Sequence, residues 1–307
     1  MVKFTFQGLM APTFAPFHSD GSLNLDLIPA YAKHLRATGV TGLWVNGTAG
    51  EGMSMTVAER KRLAEAWMAC KKDVGTVILQ CGAGCLLDTQ DLARHAESLG
   101  ASGVAAFPCI FDKPRSADEL VDYMVEVAKA CPNTPLFYYH IPMKTQVSLP
   151  MSEFLKKGVE RIPTLSGLKF TDGDVSGEGK KCLEVAGGSL TIFNGFDERL
   201  QEAVSQGFSC GVNVCYNFSA HHAVNVFSLM EAGRVEEAKE AQKAIEDLLG
   251  VIFKPTGGFS VAGVKAAMAI ITGLDVGPSR LPVKPFTPAM KEALKADLAA
   301  RGMLKPQ

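Results

Sequence analysis

The chain has 307 residues, of which 31 are basic and 32 acidic, for a net charge of −1. That balance supplies no field to steer it onto nucleic acid or an anionic membrane. A composition of 47% hydrophobic and 21% charged residues excludes a disordered chain, and the length suits one large domain or two small ones. The opening MVKFTFQGLMAPTF has no long apolar core and no small-residue cleavage site, so a cytoplasmic protein is expected. Positions 203–230 lack charged residues, but Gln206, Asn213, Asn217, His221 and His222 would each need a partner in lipid, so this is not read as a membrane span. The eight cysteines form no C-x-x-C pair, which points to reduced, mostly buried thiols rather than a zinc or redox motif.

Eight short apolar runs are read as strands, at 8–11, 43–46, 77–81, 104–107, 136–140, 165–170, 190–194 and 211–215. Most are near-continuous in apolar character, as strands buried on both faces should be. Helix-period stretches separate them. Thr56-x-x-Glu59 and Ser116-x-x-Glu119 read as capping boxes, and Pro150 and Pro288 fall where a first helical turn tolerates proline. Three further helical runs follow the eighth strand, near 234–250, 260–272 and 288–301, with a proline-rich link from Pro278 to Pro288. Eight βα repeats predict an α/β fold, a (β/α)8 TIM barrel with a C-terminal helical extension. The expected organisation is a single domain over 1–307, with the barrel at about 5–230 and the C-terminal helices at about 231–307. A doubly wound dinucleotide-binding sheet is the rival. Gly82-Ala83-Gly84 follows the third strand, but Leu87 occupies the third glycine position of that fingerprint, and no P-loop occurs.

Chemistry in a barrel sits at the C-terminal ends of its strands. Lys169 lies late in the sixth strand, where lysine is depleted, and alternation places Gly167, Lys169 and Thr171 on one face. If that face points inward, burial favours the neutral amine, and a neutral amine forms a Schiff base with a carbonyl substrate. The alternative is a strand-end lysine reaching solvent. Tyr139, near the end of the fifth strand, could relay protons in carbon–carbon cleavage. Either Tyr138 or Tyr139 also suits a plain core position, and His140 reads as a packed histidine. The loop Gly47-Thr48-Ala49-Gly50-Glu51-Gly52 could converge backbone N–H groups on a small carboxylate, or be a flexible turn. After the seventh strand, Asp197 and Glu198 could bind sugar hydroxyls; equally, Asp197 could cap a helix over 198–205. No H-E-x-x-H or similar spacing occurs, so no metal is expected, and no G-x-S-x-G elbow is present.

Taken together, GTAGE at 47–51, YHIP at 139–142, GLKFTD at 167–172 and NGFDE at 194–198 resemble the pyruvate-dependent class I aldolases that include N-acetylneuraminate lyase and dihydrodipicolinate synthase. The resemblance runs from Gly8 to Pro282, and the wording IPTxxGLKF, YYHIP and RLP is most similar to the animal-type lyases. It implies a TIM barrel, usually a homotetramer, with no metal or organic cofactor beyond a covalent pyruvate imine. It further implies that Lys169 forms the imine, that Tyr139 shuttles the substrate's proton, and that Thr48 with adjacent N–H groups, including that of Ala49, holds the pyruvate carboxylate. Thr171, Gly195, Asp197, Glu198 and Val214 would meet the hydroxyl tail of a sialic acid, which the family's lyases cleave to N-acetylmannosamine and pyruvate. Four departures stand out. Ala49 replaces a second hydroxyl residue; Pro108-Cys109-Ile110-Phe111 lacks the family's inter-subunit tyrosine; Asn213-Val214 replaces a glycine–serine pair; and Lys144 sits where synthases carry an arginine. The rivals are another aldolase or synthase using the same imine, and a non-catalytic barrel that binds a small molecule.

Overall fold

The computed structural model describes residues 4–304; the expected domain's outermost positions, 1–3 and 305–307, lie outside the described residues. Eight parallel strands close into a barrel in sequence order: β1 (Gly8–Pro12), β2 (Gly42–Val45), β3 (Thr76–Gln80), β4 (Gly103–Ala106), β5 (Leu136–His140), β6 (Leu165–Phe170), β7 (Thr191–Asn194) and β8 (Cys210–Val212), with β8 pairing back onto β1. The observed architecture is the expected (β/α)8 barrel with C-terminal helices. The helices around it are α1 (Ile28–Ala37), α2 (Val57–Ala69), α3 (Leu86–Ser98), α4 (Ala117–Ala128), α5 (Met151–Arg161), α6 (Lys180–Glu184), α7 (Leu200–Ser205) and α8 (Tyr216–Glu231). Three more follow: α9 (Val235–Phe253), α10 (Val261–Thr272) and α11 (Pro288–Ala300), with α9 packed on α8, α10 and α11.

Each strand is buried on both faces, which is why its sequence is apolar throughout rather than alternating. The two faces nevertheless feed different cores. Along β5, Leu136 and Tyr138 join the layer under the helices, whereas Phe137 and Tyr139 fill the barrel interior. That interior is aromatic. Phe137 meets Phe193 edge-on at 5.6 Å, Trp44 meets Phe193 at 6.0 Å, and Phe4 closes the N-terminal end against Phe137 at 4.8 Å. Edge-to-face pairs add about 0.5–1.5 kcal/mol each beyond their buried area.

Some expectations need correcting. The capping box at Thr56 is complete, but at Ser116 only half forms, because the Glu119 carboxylate reaches the Arg115 N–H instead of that of Ser116. Pro150 is the cap residue of α5 rather than part of its first turn, while Pro288 does open α11 behind the Thr287 cap. Strand β8 ends at Val212 rather than at 215. Asp197 accepts the N–H groups of Val214 and Cys215 at 2.9 Å each, and this long-range contact turns the chain off the sheet. Asp197 is therefore no cap for its own helix; it begins a short 3₁₀ turn that carries no side-chain cap. Gly167 does not make room for Lys169. Its φ is +143°, and a Cβ there would lie 1.8 Å from the Thr191 carbonyl oxygen, so the glycine lets β6 approach β7.

Candidate active site

Lys169, Tyr139, Thr48, Thr171, Asp197, Glu198 and Val214 converge at the C-terminal mouth of the barrel. Lys169 points inward from β6, 5% exposed, with Nζ 4.5 Å from the centroid of the Tyr139 ring and 5.6 Å from that of Trp44. Among the described residues its one hydrogen bond is long: Nζ donates to Tyr139 Oη at 3.4 Å. Tyr139 Oη in turn shares a 3.1 Å hydrogen bond with Thr48 Oγ1. The amine, the phenol and the hydroxyl thus form one line from β6 through β5 to the loop after β2. Tyr138 and His140 face the other way. Tyr138 packs on Phe154 in the helix layer, and His140 stacks on Phe170 with Nε2 3.4 Å from Asp172 Oδ2. Burial holds the His140 ring's pKa below its ordinary value despite Asp172.

The loop at 47–52 is a tight turn, not a flexible one. The Glu51 N–H donates to Thr48 O at 3.1 Å and the Gly52 N–H to Gly47 O at 3.1 Å. A Cβ at 52 would lie 2.1 Å from the Asn46 carbonyl oxygen, so the glycine serves close packing. Among the described residues the N–H groups of Thr48 and Ala49 donate to no backbone acceptor outside regular structure.

Lys169, Tyr139, Thr48, Ala49, Thr171, Gly195, Asp197, Glu198 and Val214 all line one cavity of about 280 Å³, shared with Lys144, Met143, Phe253 and Phe259. A neighbouring cavity of about 510 Å³ has Thr48, Tyr139, Ile141, Lys144 and Phe259 in its wall as well. Thr171 Oγ1 is buried and has no hydrogen-bond partner among the described residues, and Gly195 is what admits it: a Cβ at 195 would lie 2.1 Å from that oxygen. Burial pushes the Asp197 carboxyl up, against the lowering effect of Cys215, the Val214 N–H and the charge of Lys169. Glu198 lies on the exposed rim, its carboxyl raised by desolvation of its inner side and then by Asp197.

The family model described as the dihydrodipicolinate synthetase family matches residues 5–301. The chain belongs to the dihydrodipicolinate synthetase family. Among curated relatives, N-acetylneuraminate lyase of Pongo abelii is 34% identical, with 98% of this chain and 94% of that one covered. N-acetylneuraminate lyase of Gallus gallus is 37% identical over 90% of both chains. The solved Proteus mirabilis N-acetylneuraminate lyase superposes with a TM-score of 0.92 at 35% identity, covering 97% of this chain and 99% of that one.

The positions that depart from the resembled pattern fall as follows. Val214 lines the cavity, whereas Asn213 is buried and its amide lies against Phe196 O at 3.3 Å, outside the cavity wall. Ile110 reaches only the larger neighbouring cavity. Lys144, on the single turn Pro142–Thr145, is exposed and borders both. Among the described residues no cluster of three or more His, Cys, Asp or Glu could hold a metal ion, and no helix is long and apolar enough to cross a membrane. Sequence reasoning missed Trp44, whose ring faces the amine, and Phe253 and Phe259, which the C-terminal extension contributes to the cavity. It also missed Lys265, although a single charge inside the apolar run 261–271 was the signal for it.

Proposed function

We propose that the chain is a Schiff-base aldolase that cleaves N-acetylneuraminate reversibly to N-acetylmannosamine and pyruvate. The observation that carries this is the Lys169–Tyr139–Thr48 line at the barrel mouth. Of the two lysines buried among the described residues, Lys265 is ion-paired and has three acceptors, while Lys169 has aromatic faces and one long hydrogen bond. Lys169 is therefore the amine available to a carbonyl carbon. As the free base it adds to the ketone of the open-chain sugar acid, and water leaves. The protonated imine then takes up the electron pair of the breaking carbon–carbon bond. Tyr139, held by Thr48, shuttles the proton of the hydroxyl that becomes the aldehyde. The Thr48 hydroxyl and the Thr48 and Ala49 N–H groups receive the carboxylate. The Thr171 hydroxyl, the Gly195 backbone, Asp197 and Glu198 meet the hydroxyl tail, with Val214 an apolar contact. The enamine left by the cleavage takes a proton at its terminal carbon, which restores the imine, and water then adds across that imine to release pyruvate and the amine.

We carry over with this reading the absence of a metal or organic cofactor, a homotetrameric assembly and a cytoplasmic setting. Eight free thiols, six of them buried, support a reducing compartment.

Lys144 favours one second reading, a synthase that condenses pyruvate with an aldehyde bearing its own carboxylate. A pyruvate-release assay on N-acetylneuraminate, beside condensation of pyruvate with aspartate semialdehyde, separates the two. The lyase reading expects sialic acid cleavage to dominate and Lys144→Leu to leave it nearly unchanged. Glu198→Ala and Asp197→Ala should each weaken sugar use by about one to two decades while imine formation survives. Asp197→Ala should also destabilise the fold, since it orphans two buried N–H groups. Faster condensation, abolished by Lys144→Leu, would make the chain a synthase.

A further inference from the structure

The second buried lysine lies outside the chemistry just described. Lys265, on α10 and 2% exposed, donates from Nζ to Glu51 Oε1 at 2.9 Å, to Ala15 O at 2.9 Å and to Pro278 O at 2.7 Å. The other carboxylate oxygen of Glu51 accepts the backbone N–H of Arg280 at 2.7 Å. Three segments distant in sequence, the loop after β1, the loop after β2 and the chain beyond α10, are tied at one ammonium and one carboxylate. Arg280 extends the tie. Its guanidinium donates to Gly21 O and Ser54 O, pairs with both oxygens of Glu59, and lies over the Phe17 ring.

Glu51 belongs to the loop that carries Thr48 and Ala49. Its backbone is left-handed at φ +51°, a strained conformation for a non-glycine residue, and its N–H closes the turn on Thr48 O. A buried ion pair with satisfied hydrogen bonds contributes little net stability over a well-packed apolar pair; what it fixes is geometry. The geometry fixed here is that of the turn that presents the Thr48 hydroxyl to Tyr139.

We propose that Glu51, held by Lys265 and the Arg280 backbone, is a positioning residue through which the C-terminal extension sets the carboxylate-receiving groups of Thr48 and Ala49. This rests on the reading that the loop takes the keto acid's carboxylate. The test compares the rates at which borohydride traps pyruvate and acetone on Lys169. Both ketones lose water to form an imine and accept hydride at its carbon, but only pyruvate carries a carboxylate. The wild type should strongly prefer pyruvate. Glu51→Gln, nearly isosteric, should slow pyruvate trapping about 10- to 100-fold, the scale of a small misplacement of binding groups, and leave acetone trapping unchanged. The double variant Glu51→Gln with Lys265→Met leaves no unpaired buried charge and should show the same selective loss. Equal losses for both ketones, an unchanged ratio, or failure of both variants to fold would overturn the proposal and leave the pair a structural one. A preference lost in Thr48→Val but kept in both Glu51 variants overturns the proposal and leaves the loop reading standing. A wild type that does not prefer pyruvate overturns both.

Discussion

At the scale of single residues, the burden of chemistry falls on groups whose hydrogen bonds the fold leaves incomplete. Lys169 and the Thr171 hydroxyl are buried yet under-partnered, whereas Lys265 and Asp197 are buried and engaged by the protein itself. Tyr139 stands between Lys169 and Thr48, and the proposed mechanism passes the substrate proton through its O–H. Tyr139→Phe should keep pyruvate trapping on Lys169 and slow cleavage about 10²- to 10⁴-fold, the usual worth of positioned acid–base catalysis; steady-state kcat measures it. Equal turnover would give the role to a different group. Alternation marked Lys169 as unusual in its strand but did not say which face points inward, and Tyr139 could not be told from a core tyrosine; the family resemblance is what singled both out. Lys265 was not legible, because a lone lysine on a helix ordinarily snorkels to solvent, and only the fold shows three acceptors closing around it.

At the scale of elements, what could be read was what local pattern determines. Strands β5 and β6 fall at the positions expected for them, since continuous apolar runs bounded by polar turns leave little freedom. The exit of β8 could not be read, because it depends on Asp197, a residue on the preceding repeat. Helix starts divide the same way. Thr56 and Glu59 satisfy each other's backbone N–H groups, but Glu119 passes over Ser116 to Arg115, a choice set by loop geometry. Thr56→Ala should therefore cost more than Ser116→Ala, about 1–2 kcal/mol against the lower part of the usual 0.5–2 range for a lost cap. Urea midpoints of the two variants decide it; a Ser116 variant equal to or weaker than the Thr56 variant would count against the half-box.

At the scale of the whole molecule, the C-terminal helices are fastened to the barrel through charge. Beside the Lys265–Glu51 pair, the Arg280 guanidinium, together with the Thr56 N–H and hydroxyl, holds the Glu59 carboxyl down at about 2. In the unfolded chain the same group titrates near the ordinary value of about 4.3. A depressed folded pKa contributes stability that is complete above the unfolded value and is lost as pH falls from about 4.3 toward 2. The pair is partly solvated, so screening holds its share to on the order of 1 kcal/mol. Glu59→Gln should flatten the decline of melting temperature over that acid window; an unchanged slope would mean that other carboxylates carry it. The same fastening brings Phe253 and Phe259 to the cavity beside Lys169, so barrel and extension together make one site. At that site Lys169 is expected to join covalently to the keto acid of a sialic acid. Incubation with N-acetylneuraminate and borohydride, followed by peptide mass mapping, tests this. A reduced keto-acid adduct is expected on the peptide containing Lys169 and not in Lys169→Ala; no adduct, or one on another lysine, would refute the imine.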